Sequence, residues 1–422
     1  MRGRHGNGER HARGALRRDA TADHREPSRR RRSLRHARLK SRGVSRAYLD
    51  HASTSVLRPA VREAMAPFLD ASYGDPGRLH AEGRATRVAL ENARAQVAEF
   101  FGARPREVVF TSSGTEAVNT AVFGALARAP RSGAGGHVVT TAVEHSCVRD
   151  SIERGARSVT VVGVDRRGRF DAGEIVAAVR DDTEFVSIQL ANHEVGTVQP
   201  AADVVARLKS RSGGPGNVLV HVDACAAAGN VPVDFAELGA DLCSVTAHKL
   251  GGPLGAGALL VRRGLRLPPF VLGGAQERAR RAGIENVPAW VGFGAACAAV
   301  DLAAEPARAR ELVEVAAAVT TSVPGVTRFG DGSLPNLLCL GIDGVEAEPI
   351  LLALDQHGVA VHSGSSCSSE TLEPSPVLEA MGVDADRSLR VSVGWSSTPA
   401  DVERFVEVFP GIVERLRGLR AS

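Results

Sequence analysis

Residues 242–252 read Leu242-Cys243-Ser244-Val245-Thr246-Ala247-His248-Lys249-Leu250-Gly251-Gly252. A short β-rich run stops at a His-Lys pair and is followed by two glycines, the punctuation of a strand that ends in a turn. The same texture recurs on both sides. Candidate strands lie at 107–111, 137–141, 158–164, 184–190, 218–223, 242–246 and 256–261. Helical patterns fill the intervals at 87–101, 115–127, 148–155, 171–180 and 202–210. Regular alternation of this kind predicts an α/β fold, with a large seven-stranded and mostly parallel sheet between helices. Ligands in such sheets bind beyond the carboxyl ends of the strands.

The texture changes near residue 305. A helical stretch at 305–319 precedes a strand at 336–341, a helix at 347–357 and a strand at 359–362. A Ser/Gly-rich loop at 363–369, a strand at 389–393 and a helix at 398–416 follow. This reads as a smaller α+β domain. The expected division is a large domain at 63–305 and a small one built from 47–62 with 306–422, the latter carrying the Ser/Gly-rich loop.

Charge separates a third segment. Residues 1–46 hold sixteen basic and four acidic side chains; the other 376 residues hold 36 and 44. The net +4 of the chain therefore belongs to an Arg-rich leader whose composition predicts disorder, native or not. The body is acidic, which argues against direct nucleic-acid binding by it. No run of about eighteen uncharged apolar residues occurs, so no membrane span is expected. The six cysteines form no C-x-x-C pair, which argues against a zinc cage or a disulfide scaffold and suits a reducing cytoplasm. No metal site is expected.

The chain has 49 arginines but three lysines, Lys40, Lys209 and Lys249. Where a generic cation suffices, it uses Arg. Lys209 sits in a polar Arg-Leu-Lys-Ser-Arg run, as a surface lysine does. Lys249 sits at an apolar strand end, where burial suits an amine to Schiff-base chemistry. Two other strand ends accompany it. Ser112-Ser113-Gly114-Thr115-Glu116 opens a helix and offers free amides to a phosphate, although Ser before Glu is also an ordinary capping box. Asp223 closes Val218-Leu219-Val220-His221-Val222-Asp223; it is either a turn residue or the partner of a protonated pyridine nitrogen. A phosphate turn, a strand-end Asp and a strand-end Lys, in that order, form a pyridoxal phosphate site.

Further segments carry a resemblance. They are Tyr48-Leu49-Asp50-His51-Ala52-Ser53-Thr54, Phe110-Thr111-Ser112-Ser113-Gly114-Thr115-Glu116, Val143-Glu144-His145, Asn192-His193-Glu194-Val195-Gly196, His221-Val222-Asp223-Ala224 and Ala247-His248-Lys249. To these add Gly273-Gly274 with Glu277-Arg278, Arg281-Ala282-Gly283 and His362-Ser363-Gly364-Ser365-Ser366-Cys367-Ser368. Over nearly all of residues 47–410 the chain resembles the cysteine desulfurases of the class V, fold-type I pyridoxal phosphate family. The Ser/Gly-rich cysteine loop is similar to the longer-loop branch that serves iron–sulfur assembly and tRNA thiolation.

The resemblance implies roles. Lys249 would hold the cofactor covalently, His145 would stack on its ring and move protons, and Asp223 would pair with the ring nitrogen. Gly114, Thr115, Thr246 and His248 would bind the phosphate, and His193 would contact the cofactor. Asn119, Asn192 and Arg390 would bind the substrate, L-cysteine. Cys367 would take its sulfur as a persulfide and pass it to an acceptor protein, a cluster scaffold or a tRNA thiolase. Each active site would be built within a homodimer. The polar setting of Cys367 agrees with a reactive thiol; the other five cysteines lie mostly among apolar residues and read as small hydrophobes.

Three positions depart from the family pattern. Ala226 stands where Gln is usual, Ile284 where Thr is usual, and His193 where a second Asn often occurs. Losing two neutral contacts costs about 1 kcal/mol each. Alternatives stay open: another class V enzyme, a C–S lyase or an aminotransferase, needs Lys249 but not Cys367, and an inactive sulfur-trafficking scaffold needs neither.

Overall fold

Seven of the β-rich runs pair side by side. After a two-residue strand β1 (Ala47–Tyr48) come β2 (Val108–Thr111), β3 (His137–Thr141), β4 (Ser158–Val162), β5 (Thr183–Gln189), β6 (Leu219–Asp223), β7 (Leu242–Thr246) and β8 (Gly257–Val261). The last seven form one sheet in the order β2-β8-β7-β6-β5-β3-β4. All its pairings are parallel except those of β8, which runs antiparallel to β2 and β7. This computed structural model describes residues 46–128, 136–210, 218–363 and 374–421. The Arg-rich leader through residue 45 and the loop around Cys367 lie outside the described residues.

The inner strands are buried on both faces, as their Val- and Leu-rich sequences require. Alternation sorts their side chains. Val108 and Phe110 pack in one apolar cluster with the helices Ala81–Phe100 and Val287–Ala299; Val109 packs in another with Gly114–Leu126. Only β4, at the edge, is largely exposed.

Two helices differ from the expectation. Ala81–Phe100 begins six residues before 87, because the His80 side chain accepts a hydrogen bond from Gly83 N and starts the helix inside a polar stretch. Gly83 is required there: a Cβ would meet Asp75 O at 2.6 Å. Val287–Ala299 has no amphipathic period to read. Ala289, Trp290, Gly292, Phe293 and Gly294 are buried on several sides of it, the pattern of a helix enclosed by the core.

The C-terminal part forms a second sheet. Its strands are β9 (Val326–Phe329), β10 (Leu337–Ile342), then, after β11 (Val359–Ala360), β12 (His362–Ser363) and β13 (Ser388–Ser392). The order is β12-β13-β10-β9, all antiparallel, and β1 pairs in parallel with β11. Leu338 and Leu340 face a core of their own with Leu49, Leu312, Phe405 and Phe409. Leu337 and Cys339, on the opposite face of β10, join the core of the large sheet. β10 is thus shared by two cores.

Candidate active site

β2, β6 and β7 run in one direction, and a cavity of about 250 Å³ opens beyond their carboxyl ends. Gly114, Thr115, His145, His193, Asp223, Thr246, His248, Lys249 and Arg390 line it together. Gly114 and Arg390, 276 residues apart in the chain, therefore meet at one place.

At the β2 end, both readings of the Ser-Ser-Gly-Thr-Glu turn hold at once. Ser113 Oγ accepts from Glu116 N at 3.1 Å, and Glu116 Oε2 accepts from Ser112 N at 2.8 Å. This reciprocal cap leaves the amides of the first turn, at Gly114 and Thr115, directed into the cavity. Gly114 has no room for a side chain, since a Cβ would lie 2.6 Å from Cys225 Sγ.

At the β6 end, Asp223 is buried. Burial alone raises its pKa, yet the carboxyl lies below the ordinary range. His221, whose own pKa burial lowers to about 4, is charged in the acid range where Asp223 titrates and is the largest influence holding the carboxylate down. The hydrogen bonds from Cys225 N at 3.0 Å and Ser244 Oγ at 2.7 Å add to it. Ser187 Oγ, His221 and Ser244 Oγ form a chain behind them. The result is a permanent carboxylate at the cavity wall.

At the β7 end, His248–Leu250 form a single 3-10 turn, and Gly251 reverses the chain at φ +76. Lys249 Nζ is thereby placed in the cavity beside Asp223 and His145. Burial lowers His248 to a pKa of about 4, with Lys249 adding to the effect, so its ring is neutral. Its Nδ1 is buried without a hydrogen-bond partner among the described residues, as is Gln189 Nε2.

His145 caps the helix Ser146–Gly155. Its Nδ1 accepts from Cys147 N at 3.2 Å and lies 3.0 Å from Cys147 Sγ. These contacts select the tautomer with the proton on Nε2. The His193 ring lies 5.0 Å away. Arg390 is buried; it donates to His193 O at 3.0 Å, Asp50 Oδ1 at 3.0 Å and Ser53 Oγ at 2.7 Å, while its Nε has no partner among the described residues.

Two expected substrate residues are not on the wall. Asn119 Nδ2 turns back along its own helix to Thr115 O at 2.9 Å. Asn192 is buried and spends its side chain on the loop: Nδ2 donates to Val143 O, and Oδ1 accepts from Glu194 N and Val195 N. Cys367 lies outside the described residues. Conversely, Cys147 and Cys225 line the cavity, although both read as core cysteines. Each stands two residues after a site residue, His145 or Asp223, and that offset was the available signal. Burial, with Asp223 nearby, pushes the Cys225 thiol well above its ordinary pKa, so it stays protonated. Ala226 also reaches the wall and offers no donor.

Behind the site, Glu144 Oε1 accepts from Thr141 Oγ1 at 2.6 Å and Gln189 N at 3.0 Å. Burial nevertheless pushes its carboxyl from 4.5 up to about 8. In the unfolded chain it ionises near 4.5; in the folded chain it keeps its proton to about 8. Between these values the folded state binds more protons, so stability present below pH 4.5 is lost as pH rises toward 8. Glu144→Gln is expected to flatten this decline in a thermal-melting series across that range. An unchanged slope would exclude Glu144 as its source.

The donor set fits pyridoxal phosphate: unused amides and a partnerless His248 Nδ1 for a phosphate, a fixed carboxylate for a ring nitrogen, and a primary amine for an aldehyde. Among the described residues, no group of three or more His, Cys, Asp or Glu side chains is placed to hold a metal, and no single helix is long and apolar enough to cross a membrane.

Fold and site together define a class: the chain belongs to the class V aminotransferase family, whose model matches residues 47–405, and that family uses pyridoxal phosphate. Its relatives there include cysteine desulfurases. It is 39% identical over 389 residues to the cysteine desulfurase of Trichormus azollae, covering 89% of this chain and 95% of that one. It is 40% identical over 382 residues to the cysteine desulfurase IscS of Dictyoglomus turgidum, covering 88% and 95%. A solved NifS-like protein superposes with a TM-score of 0.81 at 31% identity, over 88% of this chain and all of that one.

Proposed function

We propose that this chain is a pyridoxal phosphate-dependent cysteine desulfurase that converts L-cysteine to L-alanine and carries the sulfur as a persulfide on Cys367. The observation that supports this most is the meeting of Lys249, Asp223 and His145 in one cavity with Arg390 at its wall.

Bound at Lys249, the cofactor supplies an electron sink for the pair left when the substrate Cα loses its proton. The chain's own groups do the rest. Asp223 would hold the protonated ring nitrogen, and the Gly114 and Thr115 amides, Thr246 and His248 would hold the phosphate. His193 and His145 would contact the cofactor, and His145 keeps a proton at Nε2. Lys249 Nζ carries the Cα proton. Arg390 Nε faces the substrate carboxylate. The Cys367 thiolate attacks the substrate sulfur; an S–S bond forms, the C–S bond breaks, and alanine leaves. Asn119 and Asn192 act on the substrate only through the positions of Thr115 and the 192–196 loop.

We infer further that the protein works in the cytoplasm as a homodimer that feeds a cluster scaffold or a tRNA thiolase. Leu254, Leu272 and Ile284 are large apolar side chains left exposed on this chain, as a surface covered by a second copy would leave them. Two apolar cores, which meet at β10, suit a large domain at 63–305 and a small one from 47–62 and 306–422, although Val61, Leu334 and Leu378 pack in the core of the large sheet.

Cys367→Ser tests the assignment. Sulfur transfer from L-cysteine to a protein or thiol acceptor is expected to fall to the level of free cofactor, while the visible absorbance of the holoenzyme persists. Transfer at the wild-type rate would point to a C–S lyase. A protein that stays colourless with added pyridoxal phosphate would point to a scaffold.

A further inference from the structure

A second cavity, of about 760 Å³, lies at the opposite end of the large sheet, where β2 begins and β8 ends. Arg104, Arg106, Arg262, Arg263 and Arg280 line it, against a single carboxylate, Glu107. Arg262 pairs with Asp241 at 2.6 Å. Among the described residues the other four guanidiniums have no carboxylate partner.

Glu107 makes no ion pair with them among the described residues. Its Oε2 accepts from Arg104 N at 2.8 Å and its Oε1 from Arg263 N at 3.0 Å. It ties the loop before β2 to the turn after β8 and so fixes the two arginine-bearing segments against each other. Arg280 is held from behind. It donates to Glu277 O at 3.2 Å, Arg106 O at 3.0 Å and Val108 O at 3.1 Å. Burial lowers its pKa to about 10, which leaves it charged at neutral pH. A half-buried cation satisfied only by carbonyls favours an incoming anion.

Guanidinium forks match phosphate oxygens in pairs, and several around one concavity match linked phosphates better than a single anion. The cavity has the size of a small-molecule site. Its remaining lining is Pro105, Val261, Gly264 and Leu265, with no aromatic ring to stack a base. Recognition would therefore fall on the phosphates. We propose that this cavity binds a small oligophosphate, a molecule with two or three linked phosphates such as pyrophosphate or a nucleoside diphosphate.

The test is calorimetric titration of the full-length holoenzyme with pyrophosphate, ADP and sulfate at constant ionic strength. Pyrophosphate and ADP are expected to bind alike and more tightly than sulfate. The double variant Arg106→Ala/Arg263→Ala changes two exposed side chains away from the active site, so turnover of L-cysteine serves as its folding control. It is expected to weaken both ligands by roughly tenfold or more. The basic leader is the same in both proteins, so oligophosphate binding that survives the variant comes from elsewhere and overturns the proposal. So does sulfate binding as tightly as pyrophosphate. RNA binding that the variant abolishes, with pyrophosphate neither binding nor competing, would also overturn it in favour of an RNA surface.

Discussion

Lys249→Ala is expected to yield a folded protein without the visible absorbance of the cofactor and without turnover of L-cysteine. Two roles fail together in this variant. The site loses the amine that fixes the cofactor, and it loses the group that carries the Cα proton. Proton transfer by a positioned side chain is worth about 10²–10⁴ in rate by itself, so the loss in kcat is expected to reach or exceed that range. No other described lysine can substitute. Lys209 lies on the helix Ala201–Ser210 and bonds Gly239 O. Asp223, Thr246 and the amides at Gly114 and Thr115 remain, so the variant still binds pyridoxal phosphate reversibly. The spectrum after dialysis and the alanine formed from L-cysteine are the measurements. Retained colour with retained turnover would remove Lys249 from the mechanism.

The second large effect is on stability. Arg94 and Glu277 form a buried two-pronged pair, with Nη1–Oε2 at 2.7 Å and Nη2–Oε1 at 2.6 Å, and both side chains are almost fully enclosed. Glu277 Oε2 also accepts from Phe110 N at 2.8 Å, and the Arg94 guanidinium lies over the Phe110 ring. The pair anchors an unusual turn. Glu277, Arg278 and Ala279 all have positive φ, at 46, 58 and 59°, a conformation that costs side-chain-bearing residues of order 1–3 kcal/mol each. Arg94→Met strands a buried carboxylate and is expected to cost about 3–5 kcal/mol, read as a lower midpoint in denaturant. The double variant Arg94→Met/Glu277→Leu is expected to be more stable than the single one, because no charge is then left unpaired. If both unfold alike, the pair is not what holds the turn. The turn matters to the site: the next residues include Arg281, whose Nε meets Glu116 Oε1 at 2.8 Å on the first turn of the phosphate-facing helix.

Much of the large sheet was legible because its strands are short, apolar and closed by turn residues. β3 and β7 begin and end where the sequence places them. The antiparallel insertion of β8 between β2 and β7 was not legible, since strand order depends on contacts between distant residues. The helix Val287–Ala299 was hidden by being apolar on several sides. In the site, residues at strand ends were readable: Asp223, Lys249 and the Ser112–Glu116 turn each stop a β run. Residues whose role depends on side-chain direction were not. Asn119 and Asn192 look available in sequence, but one bonds its own helix and the other bonds Val143 O and the amides of its own loop. Cys147 and Cys225 look like core packing, and only the helix and turn that follow His145 and Asp223 turn them to the cavity.

The central claim is that L-cysteine gives up its sulfur to Cys367 in a site centred on Lys249. A single turnover measures it directly. Holoenzyme is mixed with an equivalent of L-cysteine without reductant, alanine is counted, and the protein is digested and weighed by mass spectrometry. The account predicts one alanine per active site and one added sulfur atom, on the peptide bearing Cys367. Free sulfide with pyruvate in place of alanine, or an added sulfur on Cys147 or Cys225 with Cys367 unmodified, would contradict it.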